Sequence, residues 1–178
     1  MDVEIIPCSI EQMQKLIEGA DAFQSVYKLQ VVDGYMPFAG ALQYILNQMQ
    51  TSQVEHPWLP YLFVFRPDRA VVGLGGFKTA PDAARRVEIG YSVAPSYQGR
   101  GFATSAARQL IEIAFASELV DCVCAHTLAE PNASTKVLTN CGMSKVSDAI
   151  DPEVGKLWRW EIGKSGEVNQ MPENVRSA

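Results

Sequence analysis

Seven consecutive residues, Gln98-Gly99-Arg100-Gly101-Phe102-Ala103-Thr104, have the composition of a loop that holds an anion. A stretch of alternating apolar residues precedes them, and a helical stripe of Ala103, Ala106, Leu110 and Ala114 follows. The glycines therefore fall at a helix start. Amides there have no intrahelical acceptor, and the helix dipole favours negative charge. Gly99 and Gly101 admit backbone conformations closed to other residues and let a ligand approach the main chain. Ala103 and Thr104 are small enough to leave the first turn clear, and Arg100 and Thr104 offer side-chain donors. Such a loop suits a pyrophosphate. A P-loop needs GxxxxGK[ST], and no lysine is present. A dinucleotide fingerprint needs a third glycine where Thr104 stands, and an acid at the end of the next strand, whereas Asp121 begins that strand. On these residues alone, glycines that merely serve a turn remain an open reading.

Two further side chains could do chemistry. In the stretch 86–94, Val87, Ile89, Tyr91 and Val93 alternate with Glu88, Gly90 and Ser92, so Glu88 faces away from the apolar row. A carboxylate there can take a proton from an amine, and burial between layers is expected to raise its pKa. The competing reading is a solvated or ion-paired strand glutamate. Ser134 precedes a short helical stretch, 135–141, closed by Gly142. Its hydroxyl could donate to a leaving group, or simply cap the helix. His126 lies within a strand and reads as a satisfied core histidine, and His56 lies in a loop.

The elements that must position these groups are legible in outline. A short strand, 3–7, leads to a helix announced by the capping box Ser9/Gln12, with Ile10, Met13, Ile17 and Ala20 at helical spacing. Two more helical patterns occupy 21–50, the second marked by Phe38, Leu42, Ile45 and Met49. A hairpin follows, 61–65 and 70–78, whose Gly73, Gly75 and Gly76 suggest close approach by a neighbour. After the strand 86–94 and the long helix, with Arg108 spaced to pair with Glu112, come a strand at 122–127 and two last strands near 143–148 and 155–162. The expected fold class is α/β, a single domain over 1–163 with a polar tail over 164–178.

Composition narrows the class. The chain has 178 residues, 47% of them hydrophobic, enough for one core. A net charge of −5 argues against a general nucleic-acid binder and would attract amines or basic peptides. No apolar run long enough to cross a membrane and no secretory leader is read, so the expected location is cytoplasmic. Cys8, Cys122, Cys124 and Cys141 are spaced for neither disulfide nor zinc chemistry and read as buried, reduced thiols, with no metal.

The run from Val87 to Thr104 resembles the central motif of the Gcn5-related N-acetyltransferases (GNAT), Q/R-x-x-G-x-G/A, with Gln98, Gly101 and Ala103 on its fixed positions. The segment Ala125 to Met143 looks like the family's second motif, in a form closest to the ribosomal-protein N-acetyltransferase-like branch. The resemblance covers roughly 60–163. It implies a mixed, mostly antiparallel central sheet with helices on both faces and a splayed central strand pair. It implies acetyl-CoA as cosubstrate, its pyrophosphate wrapped by Gln98, Gly99, Arg100, Gly101, Phe102, Ala103 and Thr104. The pantetheine would lie where the strand of Val93 splays from that of Ala125, with the Val93 amide polarising the thioester. Glu88 becomes the expected base and Ser134 the donor to the leaving thiolate. Pro131 stands where many members have asparagine, with Asn132 one residue later as a cofactor contact. Leu138 stands where other members have a tyrosine acid. The acceptor would be a small-molecule amine or a protein N-terminus, and a homodimer is part of the family expectation. Tyr35, Met36, Phe38, Trp58, Trp158 and Trp160 are the large side chains available either to an acceptor cleft or to the core. The alternatives from other classes are a non-catalytic acetyl-CoA sensor and a nucleotide-binding oxidoreductase.

Overall fold

A computed structural model of the chain describes residues 3–36, 38–51 and 56–164. The tail expected over 164–178 therefore lies, but for Lys164, outside the described residues. In order, the elements are β1 (Glu4–Pro7), α1 (Ile10–Glu18), α2 (Ala20–Tyr27), β2 (Gln30–Val31), α3 (Ala41–Thr51), β3 (Pro60–Phe65), β4 (Ala70–Phe77), β5 (Arg86–Val93), α4 (Phe102–Ala116), β6 (Cys122–Leu128), α5 (Ala133–Asn140), β7 (Ser144–Asp151) and β8 (Gly155–Gly163). They form one sheet in the order β1-β3-β4-β5-β6-β8-β7, with the short β2 alongside β4. All neighbours are antiparallel except β2–β4 and β5–β6. The mixed α/β class expected from the sequence is the one observed.

Strand alternation distributes the core to both faces of the sheet. In β3 and β4, Leu62, Val64, Val71 and Leu74 pack with Met13, Leu16, Phe23, Leu46 and Met49 of α1–α3. Their alternates Phe63, Phe65 and Val72 pack with Val87, Ile89 and Val93 of β5 and with Phe102, Ala106 and Leu110 of α4. Leu138 brings α5 onto this second face. In β6, Val123 and Ala125 belong to the α4 face, which turns Cys122, Cys124 and His126 to the other. That other face of β5, β6 and β8 holds a polar row, because the register sets Glu88 beside Cys124 beside Glu161, and His126 beside Arg159.

Several local expectations are revised. The capping box at α1 is present, with Ser9 and Gln12 bonded reciprocally. The buried residues of α1 are Met13 and Leu16, while Ile10 and Ile17 are 41% and 39% exposed. Phe38 precedes α3 and is exposed; Ala41, Leu46 and Met49 make the buried side. β2 has too few residues to carry a periodic signal. Arg108 donates its Nη2 to the Asn140 carbonyl at 2.7 Å rather than pairing with Glu112, which ties α4 to the end of α5. Among the described residues no helix is long and apolar enough to cross a membrane. All four cysteines are free, and burial pushes the thiols of Cys8 and Cys124 up to about 12 and that of Cys122 to about 11.

Candidate active site

β5 and β6 pair only at Arg86↔Cys122, Val87↔Val123 and Glu88↔Cys124; beyond that the strands diverge. Main-chain groups alternate along an extended strand, and here the alternation can be assigned. The Glu88 carbonyl accepts from Lys78 N–H, and Ala94 N–H donates to the Val72 carbonyl, so the even-numbered residues face β4. Ile89, Tyr91 and Val93 therefore present N–H and C=O toward the side where β6 has withdrawn. Gln98 Nε2 donates to the Val93 carbonyl at 2.9 Å, which leaves the Val93 N–H as the open group at the mouth of the gap.

The glycine loop sits at this mouth. Gly99 and Gly101 have φ of 71° and 83°, and a Cβ on either would meet nothing within 4 Å. The conformation, and not crowding by the protein, is what calls for glycine. Gly101 caps α4 with no side-chain hydrogen bond. The first intrahelical bond is Ser105 N–H to the Gly101 carbonyl at 2.9 Å, so the amides of Phe102, Ala103 and Thr104 lack intrahelical acceptors. An uncapped helix start with open space before it fits a pyrophosphate. Phe102 itself is core: its ring is buried and lies 4.9 Å from Phe65, so only its amide is available to a ligand. The Arg100 guanidinium lies over Phe65, Tyr97 and Phe102 at 5.4, 4.9 and 5.0 Å. Arg100, Gly101, Thr104, Arg108 and Asn140 line a groove of about 610 Å3 that continues from the loop.

Within the gap is a cavity of about 140 Å3, lined from one side of the sheet by Lys78, Glu88 and His126 and from the other by Tyr91, Ser134 and Leu138. Glu88 is three-quarters buried and its Oε1 takes both an ion pair from Lys78 and a 2.9 Å hydrogen bond with His126 Nδ1. Burial pushes its carboxyl up, but the hydrogen bonds from Lys78 and His126 outweigh burial and hold it below the usual glutamate value. The raised pKa expected of a buried strand glutamate is thus reversed by two partners, one from β6 and one just past the end of β4. His126, read from the sequence as core, lines the cavity instead, and Lys78 escaped sequence reasoning altogether. A lysine just beyond the end of an apolar strand was its signal in the sequence.

Ser134 is not the helix cap. Asn132 is: its Oδ1 accepts from Thr135 N–H at 3.0 Å, and Thr135 Oγ1 accepts from Asn132 N–H at 3.1 Å. Its Nδ2 donates to the Glu130 carbonyl at 3.1 Å. This employs the side chain proposed as a cofactor contact and frees Ser134, in the first turn of α5, to face the cavity. The Tyr91 hydroxyl donates weakly, at 3.5 Å, to the Ser134 carbonyl, and burial holds its pKa well above the ordinary phenol value, so it stays protonated. Asn132→Ala is expected to lower stability by about 0.5–2 kcal/mol, with Asn132→Ser close to wild type, by urea unfolding. Of the six large side chains offered to an acceptor cleft, none lines this cavity. Tyr35, Trp58 and Trp160 are buried in the core, Trp158 lies under Lys145 at 4.4 Å, and Phe38 is exposed.

The family model of the acetyltransferase (GNAT) domain matches residues 18–144. The chain belongs to the GNAT acetyltransferases. A curated relative, an uncharacterized N-acetyltransferase p20 from Bacillus licheniformis, is 26% identical over 145 residues, covering 79% of this chain and 82% of that protein. A solved GNAT-family acetyltransferase from Bacillus anthracis superposes with TM-score 0.63 at 18% identity, covering 92% of this chain and 95% of that one. The spermidine/spermine N-acetyltransferase SpeG from Vibrio cholerae gives 0.66 at 11%, covering 92% and 93%. The two structures establish the GNAT fold, and the family places the activity: an acetyltransferase, of a family that uses acetyl-CoA. An NAD-type ribose site is not formed at Asp121, whose carboxylate pairs with Arg85 before β6 begins.

Proposed function

We propose that the protein transfers the acetyl group of acetyl-CoA to a primary amine by direct attack, with both substrates bound at once. The observation that carries this is the junction of the divergent β5–β6 edge with the uncapped start of α4. One offers unpaired main-chain groups to an extended pantetheine, the other offers free amides to a pyrophosphate. Gly99, Gly101 and the amides of Phe102, Ala103 and Thr104 hold the pyrophosphate, and Arg100, Thr104 and Arg108 flank the groove for the nucleotide end. Acetyl-CoA supplies an activated acyl carbon there. The Val93 N–H polarises its carbonyl, a single preorganised donor. Ser134, with the Tyr91 hydroxyl beside it, donates a proton where the thiolate leaves. The amine enters from the opposite side of the sheet, where the hydrogen-bonded pair of Glu88 and His126 lines the cavity. The two proton functions line the same cavity from opposite faces of the sheet.

The acceptor is tested by thiol release from acetyl-CoA with spermidine, a peptide carrying a free N-terminus, an aminoglycoside and an amino acid. Spermidine enters the panel because solved neighbours act on it, and the peptide because the second motif resembles the ribosomal-protein branch. Turnover with at least one amine, lost on omitting acetyl-CoA, is the expected result. Ser134→Ala should lower kcat about 100-fold while leaving the KM for acetyl-CoA near wild type. Full turnover in Ser134→Ala would remove the serine from the mechanism.

A further inference from the structure

Resting on the acetyl-transfer reading above, we infer that His126 is the base that deprotonates the acceptor amine, and that Glu88 is the residue that positions it. The hydrogen-bond pattern leads to this assignment. An ionised carboxylate has only acceptor sites, and Glu88 is held ionised by Lys78 and His126. In the 2.9 Å contact the proton must therefore lie on His126 Nδ1, with Glu88 Oε1 accepting. In the neutral ring this leaves Nε2 with its lone pair. Nε2 bonds to no described residue, and the ring lines the cavity beside Ala125 and Ser134. A carboxylate that orients an imidazole through Nδ1 so that Nε2 can act as base is an arrangement hydrolases reach on unrelated folds.

The same contacts argue against Glu88 as base. Two donors occupy one of its oxygens, and their hydrogen bonds lower its proton affinity, so it is a weak proton acceptor at neutral pH. An imidazole nitrogen that keeps its lone pair is the side-chain group enzymes use most often as a general base. The groups around the ring come from several elements. Glu88 approaches from β5 and Lys78 from the end of β4, Cys124 shares β6, and Arg159 is the cross-strand neighbour on β8. Asp151, at the end of β7, feels the charges of Lys78 and His126. Arg159 is itself paired with Glu161 at 2.6 Å. The proton balance is simple. An N–H bond of the substrate ammonium breaks and an N–H bond forms at Nε2, giving an imidazolium beside Glu88. That proton returns to bulk water after the neutral amine has attacked, and the nitrogen's second proton leaves when the amide forms, matching the one gained by the thiol.

The chain has only His56 and His126, so its imidazole nitrogens can be resolved by long-range 1H–15N spectroscopy, with His56→Gln giving the assignment. The expected result is the Nδ1–H tautomer for His126 above its titration, and an acid limb of kcat/KM coinciding with that titration, measured with the fastest amine of the panel. His126→Asn keeps an amide donor toward Glu88 and should lose about 10²–10⁴-fold in kcat/KM together with the acid limb, while its thermal stabilisation by acetyl-CoA persists. An Nε2–H tautomer, or an acid limb displaced from the His126 titration by more than about one pH unit, overturns the assignment in the wild-type protein, whether or not the variant folds. So does a His126→Asn variant that keeps wild-type turnover. Absence of turnover with every amine would count against the acetyl-transfer reading, while the tautomer would still decide the dyad.

Discussion

Gly75→Ala should melt far below the wild type, by about 10 °C or more, corresponding to roughly 3–5 kcal/mol in a domain of this size. A Cβ at Gly75 would stand 2.5 Å from the Gly90 carbonyl oxygen, 2.6 Å from Phe63 Cζ and 2.9 Å from Tyr91 Cα. Two of those three atoms are backbone, so relief requires β5 to move away from β4, and a packed interior resists such movement. β5 carries Glu88, Tyr91 and Val93, so the variant should also lose turnover out of proportion to its unfolded fraction. Gly90→Ala is the matched control. It lies in the same strand pair, yet its Cβ would meet nothing within 4 Å, and its melting temperature should stay within a few degrees of wild type. Equal melting of the two variants by differential scanning calorimetry would show that the β4–β5 approach is not the constraint argued here.

The second large effect is expected on cosubstrate binding. Gly101→Val places a β-branched residue at φ 83°, where such residues are outliers. Holding one non-glycine residue there costs about 1–2 kcal/mol, which corresponds to roughly a 5–30-fold higher acetyl-CoA dissociation constant if the cost falls on the bound form. The open space around Gly101 means the penalty arises from the backbone and not from a clash with the protein. Isothermal titration with acetyl-CoA reads it directly, and Thr104→Ser, which keeps the hydroxyl, should bind as wild type. Wild-type affinity in Gly101→Val would mean that the loop does not hold the pyrophosphate in this conformation.

These two glycines differ in how they could be read from the chain. Gly101 is a local matter: a strand, a Gly-x-Gly and a helical stripe suffice to predict a left-handed turn before a free helix start. Gly75 was suspected from its place inside an apolar strand, but which neighbour approached, and how closely, depended on β5 and on Phe63 from β3. The same division runs through the site. The capping box of α1, the alternation along β5 and the loop at Gln98–Thr104 involve residues a few positions apart, and short-range sterics and hydrogen bonding settle them. Where two nearby residues competed for one role the outcome turned on backbone geometry. Asn132 and not Ser134 took the cap of α5, because the chain is extended at Asn132 and already helical at Ser134.

By itself, then, the sequence determined the fold class and the family, and it placed a glycine loop before a helix start, all through contiguous patterns. It placed Glu88 on the correct face of β5 as well. What only the tertiary structure decided is which partners that carboxylate has. Lys78 reaches it from just past the end of β4 and His126 from β6, 38 positions along the chain, and burial alone would have raised its pKa where their hydrogen bonds lower it. Electrostatic roles depend on distances between groups far apart in sequence, and those distances exist only once β4, β5 and β6 are in register.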